Sequence, residues 1–165
     1  MPGAFVRECG TDVYGDLGKP SRWQRRSIVV GPFALVWIRD AARAPARKRA
    51  YQARQVAFKV LAVVKSGLDV VVAVPPFERD HVALGYDPSK WDTFPTVANG
   101  EQTVLFVACD RDEESTTWSS ATQFNGQIIV PRPHCVVLDV RVGQNGPLQR
   151  IKTPFGRGAC RTPGA

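Results

Sequence analysis

The sequence predicts a mostly β protein, an antiparallel β-sandwich of about eight strands. Three observations carry that expectation. Short runs rich in Val and Ile recur along the chain, parted by Pro, Gly and Asp turns at fairly regular spacing. The chain holds 13 Pro and 14 Gly in 165 residues, too many turn formers for a helical bundle. Its hydrophobic fraction of 44% excludes a disordered chain, and a domain of this length buries roughly 70% of its unfolded surface. The expected organisation is an irregular N-terminal arm over residues 1–26 and a single sandwich domain over 27–165. One possible short helix lies in a basic crossing segment.

The arm is polar and Gly-rich, with Lys19, Arg22, Arg25 and Arg26 around Trp23. SIVVGPFALVWI, Ser27 to Ile38, reads as one long strand or two short ones kinked at Gly31-Pro32. From Arg39 to Lys59 there are seven Lys or Arg and one Asp, so +6 of the net +7 lies here. Pro45 is placed to begin a helix running to about Arg54. The best-patterned stretch is AFKVLAVVKSGLDVVVAV, read as a central hairpin turning at Ser66-Gly67 and stopped by Pro75-Pro76. In it Val60, Ala62 and Val64 share one face, and Leu61 and Val63 the other. On the return arm Leu68, Val70, Val72 and Val74 oppose Asp69, Val71 and Ala73. Both faces carry apolar residues, which predicts cover on both sides.

Further along, His81 to Tyr86 reads as a strand, Gln102 to Cys109 as a fully buried strand, and Thr122 to Val130 as a strand with Gly126 as a bulge. His134 to Val142 alternates cleanly, with Val136, Leu138, Val140 and Val142 inward and Asp139 and Arg141 outward. Asn145-Gly146 is a two-residue turn signal before a last strand from Leu148 to Thr153.

Four cysteines, Cys9, Cys109, Cys135 and Cys160, are widely spaced in a β-rich chain. An even number in this setting points to two disulfides and an oxidising compartment. Of the three possible pairings, Cys109 with Cys135 and Cys9 with Cys160 is the one expected, closing a short loop and joining the two ends. The other reading is four free thiols in the cytosol. No run of 18 apolar residues predicts a membrane span. MPGAFVRECG shows no charged region followed by an apolar core, so export would need a leader ahead of the given Met1.

The chemistry-bearing residues are few. The cysteine spacing contains no CxxC, so no zinc site is expected. No GxSxG, Walker A or dinucleotide fingerprint is present, and no cofactor is implied. His81 lies near Glu78 and Asp80, but neighbours along a strand point apart, and the same holds for His134 beside Cys135. The acidic loop Asp110, Asp112, Glu113 and Glu114 lacks the spacing of a calcium loop. Trp91 and Trp118 stand in polar, turn-rich segments, unlike Trp37 in its apolar run. An exposed indole on a sandwich stacks well on a sugar ring. Asp92, Gln123 and Asn125 are the residues expected to add hydrogen bonds to such a ligand. The other reading is that both tryptophans cap the ends of the core.

Several phrases together resemble exported, four-cysteine β-sandwich proteins of high-GC Gram-positive (actinobacterial) type that are themselves uncharacterised. They are ECG at Glu8, VGPF at Val30, KVLAVV, VPPFERDHVALGYDPSKW, FVACD, TQFNGQIIV, RPHCVVLDV and PFGRGACR, spanning nearly the whole chain from Cys9. The resemblance implies an extracytoplasmic β-domain and transfers no activity.

The leading expectation is therefore a non-catalytic extracytoplasmic or secreted binding domain for a cell-envelope protein or glycan. The first alternative is a cytosolic protein that binds nucleic acid through Arg43, Arg47, Lys48, Arg49 and Arg54. The second is a hydrolase assembled in three dimensions around His81 or His134.

Overall fold

The computed structural model describes residues 3–13, 15–43, 56–111, 118–143, 145–156 and 160. Among these, twelve strands and two short helices are present. The strands are β1 (Phe5–Arg7), β2 (Ile28–Val30), β3 (Phe33–Val36), β4 (Ala57–Lys59), β5 (Leu61–Val64), β6 (Asp69–Ala73), β7 (Ala83–Leu84), β8 (Thr103–Val107), β9 (Thr122–Phe124), β10 (Gln127–Ile129), β11 (His134–Val142) and β12 (Leu148–Phe155). The helices are α1 (Pro20–Trp23) and α2 (Ile38–Arg43). A five-stranded sheet runs β1-β8-β6-β11-β12, a four-stranded sheet β2-β3-β5-β9, and a three-stranded sheet β4-β10-β7. All pairings are antiparallel except β1 with β8. The mostly β architecture is consistent with the expected sandwich.

The main core lies where inward residues of the five- and four-stranded sheets meet. Phe106 of β8 packs against Phe33 of β3 and Phe124 of β9, with ring centroids 6.1 and 5.3 Å apart. Val70, Val72, Leu35, Ala62 and Val64 fill the same cluster. A second, smaller cluster covers the outer face of the four-stranded sheet, built from Trp23, Ala34, Val36, Leu61, Val63 and Ala121. Burial of both faces makes β5 a continuous apolar run. The face assignment along β5 agrees with the sequence, since Val60, Ala62 and Val64 enter the main core and Leu61 and Val63 the second.

The expected central hairpin is not formed. β5 pairs with β3 and β9, whereas β6 pairs with β8 and β11 in the other sheet. Ser66-Gly67 is thus a corner between sheets. Gly67 has φ +70°, and Ser66 Oγ donates to the Cys109 carbonyl (3.1 Å) and accepts from the Arg111 N–H (2.7 Å). Cover on both sides holds for β5, while β6 alternates buried and half-buried residues. β8 also alternates, correcting the expectation of a fully buried strand.

Ser27 to Ile38 divides at Gly31, φ +55°, into the β2–β3 hairpin. Thr122 to Val130 divides too. Ala62 pairs with Phe124 and Lys59 with Gln127, so Leu61 and Val60 stand opposite Asn125 and Gly126 with no residue inserted. Gly126 therefore marks a kink between two sheets and not a bulge. β11 spans the predicted residues, but its link to β12 covers residues 143–147, with the positive φ (+69°) at Gly143.

The segment expected as an irregular arm contributes β1 to the five-stranded sheet and Trp23 to the second core cluster. The helix expected from Pro45 to Arg54 lies outside the described residues. α2 begins earlier, directly after β3, and ends at Arg43.

Two disulfides are formed, in a different pairing from the one expected: Cys9 with Cys109, and Cys135 with Cys160. Proximity along the chain and proximity of the ends were poor guides. The parallel seating of β1 on β8 brings Cys9, two residues after β1, to Cys109, two residues after β8. Cys135 stands opposite Pro154 in the β11–β12 ladder, beside the chain that leads on to Cys160. No helix among the described residues is long and apolar enough to cross a membrane.

Candidate binding site

The kink between β9 and β10 builds a groove. A Cβ at Gly126 would lie 2.1 Å from the Tyr86 ring, so only glycine lets that ring lie against the backbone here. Tyr86 is fully buried, donates from its hydroxyl to the Val60 carbonyl (2.9 Å) and meets Phe106 edge-on at 4.9 Å. At Gly85 a Cβ would stand 2.6 Å from Gln127 Cγ, so the Gln127 side chain lies over bare backbone. Trp91 follows the turn at Pro88–Lys90, and its Nε1 points to the Gly85 carbonyl at 3.4 Å. The result is a groove of about 250 Å³ lined by Lys59, Trp91, Asn125, Gly126 and Gln127. That lies below the roughly 300 Å³ at which drug-sized pockets begin, so it suits one small ring or the edge of a chain.

Alanine at position 126 is expected to destabilise the protein by about 3 kcal/mol, because Tyr86 has no room to yield. Urea unfolding checks this; a loss below about 0.5 kcal/mol, the level of an ordinary surface substitution, would contradict it.

Beneath the groove lies Arg7, 1% exposed. It donates to the carbonyls of Tyr86 (2.7 Å), Asn125 (3.1 Å) and Thr11 (2.5 Å) and to Thr11 Oγ1 (3.0 Å). Its guanidinium also stands over the Phe124 ring at 5.5 Å. Burial lowers its pKa from the ordinary arginine value, with Tyr86 and Asp87 acting the other way. Burial also holds the Tyr86 phenol well above its ordinary range. On the far side of Trp91, Lys90 Nζ bridges Glu101 (2.7 Å) and Asp87 (3.7 Å), and Glu101 foremost holds the Lys90 ammonium above its usual value.

The five residues expected to bind a ligand do not form one site. Trp91, 43% exposed, and Asn125 share the groove just described. Trp118 and Gln123 line a second groove of about 370 Å³ with Asp16, Leu17 and Trp23. Asp92 is exposed and lines neither. The two tryptophans differ in role. Trp118 meets Trp23, 2% exposed, edge-on at 5.1 Å, and packs on the second core cluster, with Lys65 Nζ 5.1 Å from its ring centroid. Trp118 thus matches the core-capping alternative, whereas Trp91 presents its ring to solvent. Gln123, Asn125 and Gln127 form a period-two polar row legible in the sequence, but the kink sends Gln123 to one groove and the other two to the next. Lys59 and Gln127 were missed; their pairing across β4 and β10 has no local signature.

Of the basic patch, Arg43 is exposed at the end of α2, 4.0 Å from Asp40. Arg47, Lys48, Arg49 and Arg54 lie outside the described residues, as do Asp112, Glu113 and Glu114. The histidines find a long-range partner set that neighbouring positions did not reveal. His134 Nε2 lies 2.5 Å from the buried Glu78 Oε2, the His81 and His134 rings are 5.0 Å apart, and Arg132 Nη2 is 3.3 Å from His81 Nδ1. This cluster pins the turn at Pro76–Glu78 to the start of β11. The adjacent Cys135 is held in its disulfide. Among the described residues no group of three or more His, Cys, Asp or Glu is arranged to hold a metal ion.

Comparison with known protein families, with curated proteins and with solved structures finds no match for this chain.

Proposed function

We propose that this protein is a non-catalytic binding domain that works outside the cytoplasm, taking an envelope glycan in the groove beside Trp91. One observation carries the reading. A large indole stands 43% exposed beside a preformed groove whose polar lining is two amides and an ammonium. Sugars present just such a pair of surfaces, a flat C–H face for stacking and a rim of hydroxyls for hydrogen bonds. Phe94, three residues on, is a second exposed ring on the same loop, 63% exposed. Two disulfides support an oxidising setting for such a domain.

The test is retention on purified cell-wall polysaccharide. Replacing Trp91 by Ala is expected to weaken retention by about tenfold or more, the equivalent of one lost aromatic stack of about 1.4 kcal/mol, with the fold intact. Replacing Trp118 by Ala is expected to act first on stability, through the lost contact with Trp23. Undiminished retention of a folded Trp91→Ala protein would end the proposal.

A further inference from the structure

Resting on that reading, we infer that the Trp91 groove selects a sugar carrying a carboxylate, and that Lys59 is the cation that meets it. Lys59 is exposed at the end of β4 and lines the groove, and among the described residues it has no ion-pair partner. No acidic side chain lines the groove with it. The remaining polar groups, Asn125 and Gln127, are neutral amides that donate and accept alike. A second positive charge lies directly below, because the buried Arg7 guanidinium holds the Asn125 carbonyl and none of its hydrogen bonds goes to a carboxylate.

The opposite flank of Trp91 has the reverse sign. There Asp87 and Glu101 share the single ammonium of Lys90. A ring stacked on Trp91 therefore sits in a field running from the Lys59 end to the Asp87–Glu101 end. A neutral sugar meets that field only with its hydroxyl dipoles. A sugar with one carboxylate gains a charge-assisted hydrogen bond at Lys59 and is turned with its hydroxyls toward the acidic flank. The acidic flank, where two carboxylates share one ammonium, repels a second negative charge on the ligand, which favours a carboxylate over a doubly charged phosphate monoester.

The experiment compares binding of galacturonic acid trisaccharide and of N-acetylmuramic acid with binding of their methyl esters, by calorimetry on the intact disulfide-bonded protein. Galactose 6-phosphate serves as a third anion. Esterification removes the charge and leaves the ring to stack. An acid preferred over its ester by about tenfold is expected, from one charge-assisted contact. That preference should disappear in Lys59→Gln, survive in Lys59→Arg, and be unaffected by Lys152→Gln on β12, an exposed cation that does not line the groove. The last variant separates a site from general attraction to a protein of net charge +7. Equal, Trp91-dependent binding of acid and ester would overturn the carboxylate inference and leave the glycan reading standing. Preference for galactose 6-phosphate over both acids would also overturn it. Absence of Trp91-dependent binding to any of the five probes would overturn both.

Discussion

Removing the Cys9–Cys109 disulfide, by Cys9→Ser with Cys109→Ala, is expected to lower the unfolding free energy by about 4–5 kcal/mol. The bridge closes a loop of 100 residues, and the chain-entropy relation assigns such a loop about 4.7 kcal/mol. The Cys135–Cys160 bridge closes 25 residues, for which the same relation predicts about 3.5 kcal/mol. Domains of this size are stable by only about 5–15 kcal/mol, so the longer loop alone accounts for roughly 30% of it or more. The bridge also fixes β1, a three-residue edge strand, and with it Arg7 beneath the groove. Urea unfolding of the two disulfide variants side by side is the measurement. A larger loss from the shorter loop, or a loss under about 2 kcal/mol from the longer, would show that chain entropy is not what these bridges contribute.

Substituting Arg7 by Met is expected to cost about 3–5 kcal/mol, because three carbonyls lose their buried donor at about 1–3 kcal/mol each, offset in part by no longer burying a charge. Methionine keeps most of the aliphatic stem and the contact with Phe124, so packing changes little. What disappears is the donor set. The carbonyls of Tyr86, Asn125 and Thr11 lose hydrogen bonds at 2.7, 3.1 and 2.5 Å. Lysine in place of Arg7 should recover only part of the loss, since a single ammonium does not span four acceptors set out around a planar guanidinium. Urea unfolding followed by tryptophan fluorescence reads the result. Equal stability of the Met variant and the parent would mean that the buried guanidinium is neutral in the energy balance. Ligand retention by the folded fraction of Arg7→Met should fall as well, because the Asn125 backbone at the groove would lose its anchor.

Much of the fold was legible in local pattern. Along His134–Val142 the residues read as inward, Val136, Leu138 and Val140, are buried and Asp139 and Arg141 are half-buried, although Val137 on the other face is buried too and Val142 is only half-buried, and along β5 the two faces separate as the period of two requires. Strand partners were not legible. The runs on either side of Ser66-Gly67 have the composition of a hairpin, and Gly67 takes the positive φ such a turn uses. The same chemistry also makes a corner between sheets, and only the competition of β3, β8, β9 and β11 for those strand edges decides between them.

The candidate site was half legible. Trp91 stood out as a tryptophan in a polar, turn-rich segment, and Asn125 as an amide able to hydrogen-bond a sugar stacked on it. Lys59 carries no such mark, Gln127 is marked only by the polar row it continues from Gln123 and Asn125, and the likeness of Trp91 to Trp118 concealed opposite roles. The Glu78–His134 contact joins residues 56 apart, which no spacing rule anticipates.

Local sequence was enough for the β class, the alternating faces of β5, the turn glycines and an even set of cysteines. Each follows from the side chain's own size, branching or polarity acting within a few residues along the chain. Sheet packing settles the rest: which strands pair, which cysteines bond, that Gly126 opens a groove against Tyr86, and that a buried arginine and a surface lysine flank it. Those are contacts between residues tens of positions apart, set by how whole sheets pack, and no local stretch of the chain contains them.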